Sequence, residues 1–456
     1  MDLINSETVE VAIVKGQTPK ETVLNGIDKL GGIYKYINNG DQVFIKFNLK
    51  LPNGFPTNTN FDILKALIQL CKKAGAKKVY VGSFPFKGIT IKAISDTLGL
   101  REYFDSIGAE LAFLDNSNYF YLKRFDAKKL KVVKNRSFSK VNIKNKSFII
   151  PKVILESNKL ISINQVNVDP LFSFSLSLLN SYSIVPNRYQ EVKNILKKGK
   201  DCVLNDQYKQ ELDSNIIDVF SLKKPNLIIN DLFYILEGAG PYIYKDSNLK
   251  KTGIMVLGND AVAVDIITTK ILNLNKNAKD LILRAEKSRI GTANISKIKI
   301  VGEHFKDINI DIEESANKLD KIKLQSFSIK TGQLCSGCFK QAYHLLNLMK
   351  TNMTKDLKYI TPYNSFLIGE NPPDPNIIGK DNIILFGDCA VNSKRFSVNK
   401  KVLKLSGCPP DIIKCVKLMI NYYKKGNVPM LNLCYKIIAS YASKKIIKKL
   451  RIWEGL

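Results

Sequence analysis

The sequence predicts an α/β protein, with a mostly parallel sheet in its first part and a smaller α/β unit in its second. Three observations lead there. Strand-like and helix-like apolar periods alternate over residues 9–116, the signature of crossover units and a parallel sheet. Two later stretches, "NIILFGDCAVN" and "KVLKLSGCPPDIIKCVKLMI", share one design of apolar strand, glycine and cysteine, and the second runs on into a helix. Finally, 456 residues with 45% hydrophobic content exceed one simple core, so two or three domains are expected. The predicted division is 1–303, a Rossmann-like α/β domain; 304–330, a charged linker; 331–425, a four-cysteine unit; and 426–456, a basic amphipathic helix.

The elements follow in order. "VEVAIVKG" reads as a strand. "PKETVLNGIDKLGGI" reads as a helix opened by Pro19 and closed near Gly31 and Gly32. "DQVFIKFNL" is a strand, "NFDILKALIQLCKKAGA" a helix ending at Gly75, and "KKVYVGSFPF" a strand. "ITIKAISDTLGLREYFDSIG" reads as helical and "AELAFLDN" as a further strand. The pattern weakens over residues 126–218. "KPNLIINDLFYILEGAGPYIY" then reads as one strand entering a Gly-Pro loop, and "GIMVLGNDAVAVDIITTKILNL" as strand, tight turn and helix.

Charge narrows the function classes. Lys and Arg number 70 against 41 Asp and Glu, a net +29. Only eight residues are arginine, so the bidentate fork suited to base edges and phosphates is scarce and nucleic acid is not the expected partner. No apolar run reaches the roughly 18 residues of a spanning helix. The start, "MDLINSETVE", lacks a secretory pattern, so a cytoplasmic location is expected, where clustered cysteines are metal ligands more often than disulfides.

Parallel sheets bind ligands beyond the carboxyl ends of their strands. Those ends carry Lys46 and Asn48, the loop "LPNGFPTNTN" and "GSFPFKG". Lys46, Thr57, Asn58, Thr59, Ser83 and Lys87 are therefore expected to face one crevice suited to an anion. Asp265 sits in an otherwise apolar helix start, either as a helix-dipole partner or as a site residue.

"GDQVFIKFNL", "AGAKKVYVGS", "IINDLFYILEGAGP" and "VLGNDAVAVDII" resemble the family called domain of unknown function 362 (DUF362) over residues 8–303. The resemblance implies site roles for Lys46, Asn48, Glu237, Gly238, Gly240, Pro241, Asp260 and Asp265. It carries no settled activity, and some members are iron–sulfur proteins. The chain departs from the family where a Lys-x-His and a Lys-Asn pair are usual. Here "INQVNVDP" and "LSLLNSYS" stand, keeping only Asn180. Two histidines in all, His304 and His344, make histidine acid–base catalysis improbable, and His344 reads as a packed helix residue.

The cysteines carry the sharpest signal. "QLCSGCFKQAYHLLNLMK" places Cys335 and Cys338 three apart at a helix start, a spacing expected by chance roughly 0.1 times in this composition. With Cys389 and Cys408 they make four soft ligands at loops on one edge of a small α/β unit, near helix poles that favour thiolate. Four thiolates suit a 4Fe-4S cluster or a tetrahedral zinc; zinc ribbons usually show two Cys-x-x-Cys knuckles and this chain has one. "CSGC", "GDCA" and "SGCPP" also resemble the proximal-cluster motif of nickel–iron hydrogenase small subunits and the related complex I subunit, which implies a cubane cluster and not a hydrogenase. Cys71, Cys202 and Cys434 read as structural, and Cys415 as a neighbour of the cluster.

The expected function is redox. A 4Fe-4S protein would carry out electron transfer, or act as a redox enzyme, on an unidentified anionic ligand, with a redox protein or that small anion as partner. The rival is a non-enzymatic binding protein with a structural four-cysteine zinc and a basic surface for nucleic acid or another partner. The tail, "LCYKIIASYASKKIIKKLRIWEGL", either docks on the cluster unit or lies on an anionic membrane surface. The single crevice is expected to gather Lys46, Asn48, Glu237 and Asp260, to use the Gly238–Pro241 turn as a wall, and to open towards the cysteine edge.

Overall fold

The computed structural model describes residues 8–424 except 53, 87–89, 116–137, 187–205, 275–278, 353–363, 376–381 and 395–401. Lys87, Cys202, Cys434 and the basic tail lie outside the described residues.

Strands β1 (Val9–Lys15), β2 (Gln42–Lys46), β3 (Lys78–Gly82) and β4 (Glu110–Leu111) come first. A hairpin, β5 (Phe138–Ile143) and β6 (Lys146–Pro151), precedes β7 (Lys159–Gln165). The short β8 (Val168–Asp169) and β9 (Ser173–Phe174) pair with each other. β10 (Leu227–Asp231), the hairpin β11 (Tyr234–Gly238) and β12 (Ser247–Lys251), β13 (Ile254–Gly258) and β14 (Ile298–Gly302) follow. The last are β15 (Phe327–Thr331), β16 (Asn364–Ile368), β17 (Asn382–Phe386) and β18 (Val402–Leu405).

Eight of these form one sheet in the order β14-β1-β13-β10-β7-β2-β3-β4. Every pairing in it is parallel except those of β13, which runs antiparallel to both β1 and β10. The exception has a local cause: between β10 and β13 the chain makes the β11–β12 hairpin and no crossover helix, so it returns in the opposite direction. The central strands read as unbroken apolar runs because both faces are covered; all five residues of β10 and of β13 are buried.

The helices obey their sequence signals. Phe61–Lys73 starts at Asn60, whose side chain accepts from Asp62 N, and buries Ile63, Leu64, Leu67, Ile68 and Cys71 on one face. The stretch predicted as one helix near residue 99 is two, Ile91–Leu98 and Leu100–Ser106, parted by Gly99 at φ 64°. The segment predicted as one strand before the Gly-Pro loop is also two. Asp231 turns the chain between β10 and β11 by accepting from Phe233 N.

The second sheet, β15-β16-β17-β18, is wholly parallel and in sequence order. Its first strand begins at Phe327, inside the segment predicted as linker. Helices Ser336–Asn352, Asp388–Ser393 and Ile412–Lys424 follow β15, β17 and β18. A second apolar core beneath this sheet includes Leu345, Phe366, Phe386, Cys415 and Met419, together with Ala239 and Tyr244 of the β11–β12 connection. No helix among the described residues is long and apolar enough to cross a membrane.

Asp265 is fully buried on helix Ala261–Ile271. It accepts from Ser177 N at 2.9 Å, Ser177 Oγ at 2.6 Å, Leu178 N at 2.9 Å and Asn230 Nδ2 at 2.9 Å. Burial pushes its carboxyl up to about 6 against the pull of those donors. A carboxyl raised in the folded state binds its proton more tightly there, so its contribution is present in full below the ordinary value of 3.8 and is lost as pH rises through about 6. Asp265→Ala should cost about 3–5 kcal/mol in chemical denaturation, because four donor groups in the core lose their acceptor. The native protein should lose stability of order 3 kcal/mol between about pH 4 and pH 6, and Asp265→Asn should remove that fall; an unchanged pH slope would contradict the account.

Candidate metal centre and adjoining cavity

The four cysteines all follow carboxyl ends of strands in the second sheet. Cys335 and Cys338 come after β15, Cys389 after β17, and Cys408 after β18. The last two turns are joined by backbone. Gly387 N donates to Leu405 O at 2.9 Å and Asp388 N to Gly407 O at 3.1 Å. Gly407 N in turn donates to Asp388 Oδ1 at 2.8 Å, which locks the two Gly-x-Cys and Gly-Cys turns side by side. Gly387 has φ 90°, and a Cβ there would stand 3.1 Å from Cys338 Sγ, so glycine lets the second turn close over the first cysteine pair.

The Cys335–Cys338 turn is anchored from the other side. Phe339 N donates to Cys335 O at 3.0 Å, making Cys335 the last residue before the helix. Ser336 N and Oγ both donate to Asp206, which precedes helix Gln207–Leu222 of the first part. Gly337 packs against the Tyr208 ring, where a Cβ would meet Cδ2 at 2.8 Å.

Cys335 and Cys338 are buried; Cys389 and Cys408 are half-buried. A hydrogen bond with Cys335 pushes the Cys338 thiol well above its usual range, helped by burial and by the nearby Cys335, Cys408 and Cys389. The Cys389 thiol is raised too, by burial first and then by Cys335. The expected thiolate bias from helix poles is thus overruled by crowding of like groups. Four thiols that repel one another as anions are a set that a cation at their centre would turn into ligands. Among the described residues, no three of His, Cys, Asp and Glu are grouped to hold a single metal ion.

The other cysteines stand apart. Cys71 is buried in its helix and its thiol is pushed up to about 12 by burial. Cys415 lies packed in the second apolar core, and its thiol is likewise raised to about 12 by burial.

A cavity of about 640 Å³ adjoins Cys408. From the first part it is lined by Asn48, Lys50, Ser83, Phe84, Phe86, Asn180, Tyr208 and Tyr242. From the second come Lys340, His344 and the run Ser406–Lys414. The carboxyl ends of both sheets therefore face one space, as expected of the crevice.

The predicted crevice residues divide. Asn48 and Ser83 line the cavity, and Ser83 Oγ meets Ser183 Oγ at 3.4 Å. Asn48 also holds the carboxyl edge together: its Oδ1 accepts from Gln165 N and its N donates to Thr59 Oγ1. Asn58 folds the loop back, accepting from Lys50 N and donating to Leu51 O. Thr57 is buried, and its hydroxyl has no partner. Lys46 is buried and donates to Asn180 Oδ1, so it stands behind the cavity wall and not on it. Burial, and then Lys50, lower its amine well below the usual range.

The acidic residues do not join them. Glu237 accepts from Glu313 N at 3.1 Å. Asp260 caps its helix, accepting from Val262 N, Ala263 N and Thr292 N, and Asp265 is the core anchor above. None of the three lines the cavity, so the convergence expected of Lys46, Asn48, Glu237 and Asp260 is not what the structure places there. The reason is positional: Glu237 sits on the separate β11–β12 ribbon, and Asp260 beyond the reversed strand β13. The Gly238–Pro241 turn instead braces the cysteine-bearing helix through Tyr343 Oη, which donates to Gly240 O, and the next residue, Tyr242, reaches the cavity.

Reasoning from the sequence missed Lys50, Phe86, Tyr242 and Lys340. Lys50 stands four residues after Lys46, a signal that was available; Lys340 and Tyr242 meet it only through the fold. Burial lowers the Lys50 amine to about 8; Asp169 opposes the shift and Lys340 adds to it. His344 is buried, shares a 3.0 Å hydrogen bond with Tyr244 Oη, and is lowered to about 3, first by burial and then by Lys340. It is packed, as expected, and also forms part of the cavity wall as a neutral ring.

With this geometry in view, the comparisons give the class. A sequence model of the family described as domain of unknown function DUF362 matches residues 43–270, half of the chain, and the chain belongs to that family. No curated protein matches. Among solved structures, the lactate racemase apoprotein from Thermoanaerobacterium thermosaccharolyticum is similar over 92% of each chain, at 10% identity and a TM-score of 0.33.

Gly387→Ala tests the closed turn. It should lower stability by about 1–3 kcal/mol, through strain at positive φ and pressure on Cys338 Sγ. An unchanged thermal midpoint would show that the turn has room to spare.

Proposed function

We propose that this is an iron–sulfur redox protein, in which Cys335, Cys338, Cys389 and Cys408 hold a 4Fe-4S cluster beside a cationic ligand cavity. The observation that carries the reading is Cys408: it belongs to the converging thiols and also lines the cavity that Lys50 and Lys340 border. Such a cluster supplies one-electron transfer, and four cysteine ligands leave no iron open to substrate.

The chain's own residues do the rest. Lys50 and Lys340 attract an anion, and a bound anion strengthens the hold of Lys50 on its proton. Asn48 lines the cavity with its amide side chain, while Phe86, Tyr242 and the neutral His344 keep that wall apolar. The Ser406–Pro410 turn places Cys408 against the ligand space with no intervening layer of protein.

A single tetrahedral zinc is the rival. Zinc–sulfur bonds of about 2.3 Å would draw all four sulfurs around one point. A cubane separates its thiolates by its own width.

Anaerobically purified protein should be brown, with broad visible absorbance bleached by dithionite, and should contain about four iron and four sulfide per chain. Cys389→Ser or Cys408→Ser should remove most of the iron and destabilise the second sheet, whereas Cys71→Ser should keep it. A colourless protein with one zinc, or equal iron loss from Cys71→Ser, would overturn the assignment.

A further inference from the structure

The cavity shows which class of anion it takes, a question that rests on reading it as an anion site. Three lysines border it, Lys50, Lys340 and Lys414, against one carboxylate, Asp411. None of the three lysines makes an ion pair among the described residues, although other lysines of the chain, such as Lys209 and Lys350, do. Asp411 is engaged in capping, accepting from Lys414 N at 3.0 Å through Oδ1. Asp169, outside the lining, also acts on Lys50, so three lysines stand against two carboxylates and the site is net positive.

Its other wall is aromatic and continuous. The Phe86 and Tyr242 rings meet edge to face with centroids 5.4 Å apart, and Tyr242 meets His344 at 5.3 Å. Lys50 Nζ lies 5.9 Å from the centroid of the Tyr242 ring. A positive charge and a ring face thus stand side by side, a pairing that suits a ligand whose anionic group adjoins a flat unsaturated body.

The backbone argues against a phosphate. Phosphates are cradled by successive backbone N–H groups in glycine-rich loops or at helix starts. Here the two loops that border the cavity contain Pro85, Pro409 and Pro410, which have no N–H to give, and the helix start beyond them presents the Asp411 carboxylate. Lysines acting as point charges remain; they serve either anion, so it is the proline-bearing loops and the aromatic wall that favour a carboxylate.

We propose that the cavity binds an aromatic carboxylate, with its carboxylate between Lys50 and Lys340 and its ring against Phe86 and Tyr242. Cys408 lines the same cavity.

Titration calorimetry on the full-length protein tests this, with benzoate, cyclohexanecarboxylate, inorganic phosphate and AMP as probes. Benzoate should bind at least about tenfold tighter than each of the other three. Lys50→Met keeps the alkyl stem and should weaken benzoate at least about tenfold. Tyr242→Phe keeps the ring and should change affinity less than about threefold, whereas Tyr242→Leu should lose about tenfold. Circular dichroism of each variant controls for folding. Equal binding of benzoate and cyclohexanecarboxylate, tighter binding of AMP or phosphate, no benzoate binding at millimolar concentration, or a folded Lys50→Met that binds benzoate normally would each overturn the proposal. Iron analysis of the same samples separates this outcome from the cluster reading: protein without iron that binds benzoate leaves the ligand class standing and removes the redox role.

Discussion

The fully buried carboxylate of Asp265 is the interaction on which the ligand side of this molecule depends. A charge capable of ionising in the core is costly unless every lone pair finds a donor. Four donors meet it, from Ser177, Leu178 and Asn230, and they come from elements far apart in sequence. The result fixes the start of the short helix Ser177–Ser181 against helix Ala261–Ile271. Asn180, one turn on, is thereby held where its Oδ1 takes the Lys46 amine and its Nδ2 reaches Ile163 O. Asn180 also lines the cavity. One desolvated carboxyl thus sets the position of a wall residue without touching the site.

A second constraint governs the cysteine side. Parallel strands bring all their carboxyl ends to one edge, so loops distant in sequence become neighbours. In the second sheet that edge carries all four candidate ligands, and in the first it carries Asn48 and Ser83. The two edges face each other across one cavity because the β11–β12 connection and Asp206 clasp the helix Ser336–Asn352. The "EGAGP" turn, the most recognisable family motif in the chain, acts here as a brace between the two sheets. Gly240 accepts from Tyr343, and a Cβ at Gly240 would meet Val168 Cγ2 at 2.7 Å. Its glycines serve close packing.

Charge tells a local story within a global one. The net +29 is mostly lysine spread over solvated surface. What matters for recognition is the small subset that gathers at one cavity without an ion pair among the described residues. Lys50, Lys340 and Lys414 meet at one space, while Lys46 is driven behind the wall and held well below its usual range by burial. A composition count cannot separate these cases, because burial and ion pairing are decided by neighbours in space.

The sequence by itself determined what depends on short spacing and period. Strand–helix alternation, the glycine ends and the Gly-x-Cys and Gly-Cys turns are local, and the structure follows them. The family was legible in "NDAVAVD" and "EGAGP" for the same reason. Tertiary structure alone decided the rest. The reversal of β13 follows from a missing crossover, which periodicity does not report. Asp260 and Asp265 became a cap and a core anchor because their donors, Thr292 in one case and Ser177 and Asn230 in the other, arrive from distant segments. Tyr242 and Lys340 became cavity residues because two sheets were clasped edge to edge. Local signals carry local energies of about a kilocalorie per mole, whereas a site is assembled by long-range burial, and that is written only in the packed chain.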